Sequence, residues 1–381
     1  MTLSNVVWTC GLLALLHLQG SSSKVALQAP RFRQPREGRT GELELTDGSE
    51  TFEVVQEGLP LCQQILATYS FANSYGVPYV GSYAPPSCDF NRVTWNLTVT
   101  SNGTQYDRLG TVWLGDIEVL HTSTAEPSGG AISWIYLKAC LETAQEQRII
   151  FDLGNSITAT NTAAYNITLT VTHYAEANAS APADLIIPIS KRLSSQDLPS
   201  AFSTPGDDAT NIFWWSNVLS SDVNALPDYG ELYGYSPFRE VQLFIDGSLA
   251  GVAWPFPIVF TGAEDEIDIT PWLPLLCDRN SHTFSLKVAG LANGNGTVGV
   301  SGTVGSYWLL SGKIFIWYDE KGHFTNGTVP QINAPALDVR ITTTGPGGSG
   351  DTVKLYYQVN VQRELEVTST VKTSNGSQPR V

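Results

Sequence analysis

Three acids in this 381-residue chain have surroundings that suit them to chemistry: Asp107, Asp152 and Glu231. Asp107 is followed at once by Arg108 in the run YDRLGTVWLGDIEVLHTSTAEPSGG, and Glu126 closes the same run before Pro127. An acid beside a guanidinium is held ionised, whereas one in an apolar pocket keeps its proton. Two carboxyls whose pKa values are split can divide a hydrolysis, one activating water and the other protonating the leaving group. Trp214 and Trp215 add a second kind of site. Adjacent side chains on a strand point to opposite faces, which leaves one ring to solvent, where it can stack on a sugar. Other signatures are absent from the sequence: HExxH, GxSxG and a lysine-bearing phosphate loop, since TGPGGSG (344–350) has no lysine. His121, His173, His282 and His323 are scattered, the cysteine spacing excludes a CxxC site, and EDEID (264–268) reads as a solvated loop. No metal and no cofactor are expected.

The elements that must position these residues read as strands. Charged residues make up only 15% while apolar ones reach 42%, and Ser, Thr, Asn and Gly supply the remaining polarity. That balance fits short strands and many turns. VTWNLTVT alternates and ends at Asn102-Gly103, and TVWLGDIEVLHT folds back at Gly115-Asp116. RIIFDL, YNITLTVTHY, EVQLFIDG, HTFSLKVAGL, KIFIWYDE and VKLYYQVNVQ follow in the same style, and only LCQQILATYSF and YLKACLETAQEQ invite a helix. YDRLGTVWLGDIEVL and PFREVQLFIDGSLAGV echo each other: an Arg beside an acid, an apolar strand, a Gly-Asp or Asp-Gly turn, a returning strand. The expectation is an all-β chain of two tandem antiparallel β-sandwich domains. These occupy residues 46–177 and 212–365, joined by a Pro/Ser/Ala-rich linker at 178–211 that holds Lys191-Arg192, with a polar tail at 366–381.

The N-terminus sets the compartment. Residues 1–23 read as a secretory signal peptide with an apolar core too short to span a bilayer. A disordered leader follows at 24–45 and contains the basic run RFRQPREGR. No later segment is long and apolar enough for a membrane span. Four cysteines remain after the signal: Cys62, Cys88, Cys140 and Cys277. An even number in a secreted chain implies disulfides, with Cys62–Cys88 closing one modest loop and Cys140–Cys277 the default second pair. Asn96, Asn102, Asn166, Asn178, Asn295, Asn326 and Asn375 each open a glycosylation sequon. The expected product is a glycoprotein that is secreted, vacuolar or extracellular. A net charge of −15 opposes nucleic acid as a partner.

FANSYGVP, YAPPSCDFNRVTWNLTVTSNGTQYDRLGTVWLGDIEVLHTSTAEPSGG, FDLGN, FREVQLFIDGSLAGVAWPFPIVFTG and IDITPWLPLL together resemble the plant and fungal peptide-N-glycosidase A family over roughly residues 59–362. The resemblance implies a jelly-roll form for both sandwiches, as in the bacterial peptide-N-glycosidase F. It implies a metal-free glycoamidase acting on N-glycopeptides or denatured glycoproteins. Water attacks the side-chain amide of a glycosylated Asn, leaving Asp and a glycosylamine that loses ammonia. By the same resemblance Asp107 activates the water and Arg108 keeps it ionised or positions it. Asp152 supplies a second acid and Glu231 a third, with Glu240 as its rival. Glu126, Trp214 and Trp215 fall to substrate binding. The competing class is a non-catalytic glycan-binding β-sandwich protein of the same fold.

Overall fold

The computed structural model describes residues 3–7, 60–140, 146–175, 183–189, 214–226, 230–255, 265–294, 297–302, 304, 312–344 and 356–380. Strands dominate it. Strand β1 (Leu3–Val7) lies in the segment read as a signal peptide and pairs in the second half of the fold. The first half holds β2 (Pro60–Phe71), β3 (Tyr79–Tyr83), β4 (Arg92–Thr104), β5 (Leu109–Leu114), β6 (Ile117–Ser123), β7 (Ser128–Cys140), β8 (Gln147–Leu153) and β9 (Tyr165–Tyr174). They form two antiparallel four-stranded sheets, ordered β2-β9-β4-β7 and β3-β8-β5-β6.

Alternation in the sequence explains why these sheets close on one core. In β4, Val93, Trp95, Leu97 and Val99 point inward and are buried, while Thr94, Asn96 and Thr98 face outward. In β9, Tyr165, Ile167, Leu169 and Val171 do the same, and β8 adds Ile149, Phe151 and Leu153 from the opposite sheet. Burial of side chains of this size stabilises by about 1.5–3 kcal/mol each, so the sandwich stands on this alternation.

The described parts of the two stretches that invite a helix are strands. LCQQILATYSF runs along β9 from Pro60↔Tyr174 to Phe71↔Tyr165, and the ladder that β9 offers overrides the local pattern. The YLKAC part of the second stretch continues β7 against β4. Cys62 and Cys88 form a disulfide across a Cα separation of 6.6 Å, as expected. The second pairing is not formed. Cys277 is the C-cap of the short helix Leu273–Leu276 and forms no disulfide, whereas Cys140 sits opposite Val93 in the first sandwich.

The second half is built from β10 (Leu185–Ile189), β11 (Glu240–Ile245), β12 (Ser248–Ala253), β13 (Phe284–Gly294), β14 (Thr297–Ser301) and β15 (Gly312–Tyr318). Sheets β12-β11-β13-β14 and β1-β15-β10 are antiparallel. Strand β10 thus arises inside the stretch read as a linker. Beyond them come β16 (Asn326–Gly327), β17 (Gln331–Asn333), the ribbon β18 (Asp338–Thr344) with β19 (Tyr356–Gln362), and β20 (Glu366–Thr373) with β21 (Gly376–Arg380). Leu243, Ile245, Ile269, Trp272, Leu273, Ile314, Ile316, Val367 and Val371 make the main second core.

The polar C-terminal stretch is therefore structured. Val367, Ser369 and Val371 alternate into the core, and the turn before β21 uses Gly376 at φ 102°. The Asp319 carboxylate fixes that turn, accepting the Ser374 N–H at 3.1 Å, the Ser374 hydroxyl and the Thr325 hydroxyl at 3.2 Å. Of the sequons, Asn102, Asn166, Asn326 and Asn375 are exposed, and Asn96 is half-buried on the outward face of β4. Asn178, Asn295, the basic run at 31–39 and Lys191-Arg192 lie outside the described residues.

Candidate active site

At one end of the first sandwich the loop 105–108, which leads from β4 into β5, lies against the loop 124–127, which leads from β6 into β7. Backbone pairing zips them together. Gln105 N–H donates to the Pro127 carbonyl (2.9 Å), and Thr124 N–H donates to the Arg108 carbonyl (2.8 Å). The Arg108 N–H donates to Thr124 Oγ1 at 2.8 Å. Gln105, almost fully buried, donates its side-chain amide to the carbonyls of Ala163 (2.6 Å) and Ser156 (3.3 Å), which ties in the loop before β9. From below, the Tyr165 hydroxyl reaches the carbonyls of Tyr106 (2.7 Å) and Ala125 (3.2 Å), the residues immediately before Asp107 and Glu126. Burial pushes the Tyr165 phenol up to about 12, so it stays a donor.

This scaffold brings two of the singled-out acids into contact. Half-buried Asp107 shares a side-chain hydrogen bond with exposed Glu126. Its carboxyl is pushed up to about 6, first by burial, then by the hydrogen bond and the charge of Glu126. Arg108 opposes this and loses. Its guanidinium donates to the Asp107 carbonyl (3.1 Å) and to Gln105 Oε1 (3.3 Å), so it shapes the loop more than it holds Asp107 ionised. Burial and then the hydrogen-bonded charge of Glu126 outweigh the Arg108 guanidinium at Asp107.

Asp152 lies on the neighbouring strand, opposite Thr111, and is also raised to about 6, here by burial alone. Its Oδ1 is buried without a hydrogen-bond partner. Such an oxygen is costly to keep, and a group poised this way marks a functional candidate. Glu231 stands exposed in the irregular segment after Gly230. Glu240 is fully buried at the start of β11. It accepts from Gln242 Nε2 (2.7 Å) and Trp254 Nε1 (3.0 Å) and pairs with Arg363 at 3.5 Å, which saturates both oxygens. Trp214 and Trp215 are in a 3-10 turn, Trp214–Ser216, so strand alternation does not apply to them. Trp214 is buried with its ring 5.9 Å from the Arg239 guanidinium, in the core of the second half. Sequence reasoning missed Tyr165, Gln105 and Thr124, the residues that aim the acid pair. The signal for Tyr165 was present, since YNITLTV alternation turns it inward.

Among the described residues no group of three or more His, Cys, Asp or Glu could hold a metal ion. The arrangement offers a perturbed carboxyl pair at an open loop end, which is suited to moving a proton on and off a water molecule.

The chain matches the family model "Peptide N-acetyl-beta-D-glucosaminyl asparaginase amidase A" over residues 49–212, 207–265 and 263–335. It is 25% identical over 383 residues to the peptide-N4-(N-acetyl-beta-glucosaminyl)asparagine amidase A of Prunus dulcis, covering 83% of this chain and 64% of that protein's length. Solved structures of PNGF-II align at 13% identity with a TM-score of 0.39 over 68% of this chain and 65% of that one, and at 12% with 0.33 over 79% and 64%. With most of the first sandwich and much of the second half inside the match, the chain belongs to the peptide N-acetyl-beta-D-glucosaminyl asparaginase amidase A family.

Proposed function

We propose that the protein is a secreted glycoamidase that hydrolyses the glycosyl-asparagine side-chain amide of N-glycopeptides. The observation that supports this most directly is the Asp107–Glu126 pair. A carboxyl raised from 3.8 to about 6 is a stronger base than an ordinary one, yet it is ionised at neutral pH. Ionised Asp107 takes a proton from water as the water oxygen bonds to the amide carbon. The proton on Asp107 is held by its hydrogen bond to Glu126. It then passes to the glycosylamine nitrogen as the C–N bond breaks. The products are a peptide carrying Asp and a free glycosylamine. Asp152, raised by burial and lacking a donor, is a second acid for binding the substrate or assisting it. The eight strands of the first half, in facing orders β2-β9-β4-β7 and β3-β8-β5-β6, fit a jelly roll in this reading. The sequons and the Cys62–Cys88 bridge fit the secretory pathway.

The test is release from a defined N-glycopeptide, read by mass. Wild-type protein should leave Asp where the glycosylated Asn was, and Asp107→Asn should not. A well-folded wild type that leaves the glycopeptide intact from pH 4 to 8 overturns the enzyme reading and favours the glycan-binding one.

A further inference from the structure

A tyrosine at the same end of the sandwich is held with unusual care for a residue that is half in solvent. Tyr75 is the second residue of a turn closed by the Val77 N–H on the Ser74 carbonyl (2.9 Å), and Gly76 supplies the positive φ of 72° at the third position. The turn is locked to the end of β8. Ser74 N–H donates to the Asn155 carbonyl (2.9 Å), Asn155 N–H donates to Ser74 Oγ (3.0 Å), and the Ser74 hydroxyl donates to the Leu153 carbonyl (2.6 Å). Ser74 and Asn155 are both buried. The Tyr75 ring lies over Gly154, with Cδ1 and Cε1 2.5 and 2.6 Å from where a Cβ there would stand. Only glycine admits the ring to this place, and still the residue is 48% exposed.

Its position matters. Leu153, the last residue of β8, points into the core, so Asp152 before it faces the other way, and Gly154 is the first residue beyond the strand. Leu153 is opposite Gly110, three residues after Asp107. The ring thus packs at the end of β8, two residues along the chain from Asp152, where β8 pairs with the start of β5 that follows Asp107. A rigid aromatic face next to an acceptor that lacks a donor is the complement of a sugar, with its apolar C–H face and its ring of hydroxyls and amides.

We propose that Tyr75 is a substrate-binding residue on which a pyranose ring of the N-glycan core stacks, with Asp152 accepting a hydrogen bond from that sugar. This rests on the glycoamidase reading for its substrate but not for its test. The measurement is titration of N,N′-diacetylchitobiose by calorimetry, beside steady-state turnover of a glycopeptide, in wild type, Tyr75→Ala, Tyr75→Phe and Gly154→Ala. Tyr75→Ala should weaken chitobiose binding roughly 10-fold and raise KM similarly with little change in kcat. Tyr75→Phe should keep both, and Gly154→Ala, which takes the space of the ring, should behave like Tyr75→Ala. Wild type that binds chitobiose without turning over glycopeptide would fail the enzyme reading and retain this one. Unchanged affinity in folded Tyr75→Ala, loss of kcat alone, or no chitobiose binding by wild type overturns it.

Discussion

Two hairpins in this molecule share a local design and put their acids to opposite uses. In the first half, β5 and β6 turn at Gly115-Asp116 with Leu114↔Ile117 closing the turn, and the register shifts between Val112 and Trp113. In the second, β11 and β12 turn at Asp246-Gly247 with Ile245↔Ser248 closing it, and the register shifts between Leu243 and Phe244. Turn length and bulge position coincide, and each hairpin is entered through an Arg next to an acid. In the second hairpin that entry is interior. Glu240 is saturated by Gln242, Trp254 and Arg363. Arg239 donates to the carbonyls of Tyr235, Ser236 and Phe238, and burial lowers its pKa to about 10. In the first hairpin the entry is a loop at the sheet end. Arg108 is spent on a carbonyl and a glutamine, and Asp107 meets another acid. The same dipeptide type is thus a structural anchor where its acid is fully paired, and a candidate site where burial and a like charge leave the acid unsatisfied.

The sharpest break of this comparison is Asp107→Asn. Turnover of glycopeptide should fall roughly 10²–10⁴-fold, as loss of a general base does. Stability should not fall with it. A carboxyl raised above its unfolded value contributes stability below pH 3.8 and loses it as pH rises through about 6. Asp107→Asn should therefore stabilise by about 1 kcal/mol at pH 7.5, less than the shift alone implies because the group is half in solvent, and do little at pH 4. Urea unfolding at the two pH values checks this. Glu240→Ala should show the reverse pattern, a loss of about 3–5 kcal/mol as Arg363 and Trp254 are left facing an empty buried site. Any loss of activity should track the folded fraction. Tyr165→Phe removes the tether common to both acid loops and should cost about 1 kcal/mol. Turnover should fall more than stability predicts, since the pair is aimed by that hydroxyl.

The smallest effect lies at the second hairpin's turn. Asp246 and Asp278 flank the His282 ring at 2.7 and 3.1 Å. Burial acts against the charged ring, but the two hydrogen-bonded carboxylates win and raise its pKa, and they are themselves lowered. The clasp is complete between the unfolded values of 3.8 and 6.5, weakening above as His282 loses its proton and below as the acids gain one. His282→Gln should lower the melting temperature more at pH 5 than at pH 8.

Much of the first sandwich could be read from the residues. VTWNLTVT and YNITLTVTHY alternate strictly, and the hairpin at Gly115-Asp116 carries its turn chemistry on its face. LCQQILATYSF was ambiguous because an edge strand buries only one flank, and its ten-pair partner is a hundred residues away. The stretch 366–381 reads as a tail because its polarity conceals the alternation that buries Val367, Ser369 and Val371 along β20. Asp107 was legible through its Arg neighbour. Its partner Glu126 reads only as a substrate-binding residue, because the closeness of loops 105–108 and 124–127 follows from register and from Gln105 and Tyr165. The fate of Glu240 depended on Arg363, more than a hundred residues on, which no local pattern announces.

The most direct test of the acid pair is the pH dependence of kcat/KM for a defined glycopeptide in wild type and Glu126→Gln. The wild type should lose activity on the acid side with an apparent pKa near 6. Removing the charge of Glu126 should move that limb to lower pH and reduce the plateau, because Asp107 becomes a weaker base. An acid limb that stays where it was in Glu126→Gln would contradict the account, since Asp107 would then owe nothing to its neighbour.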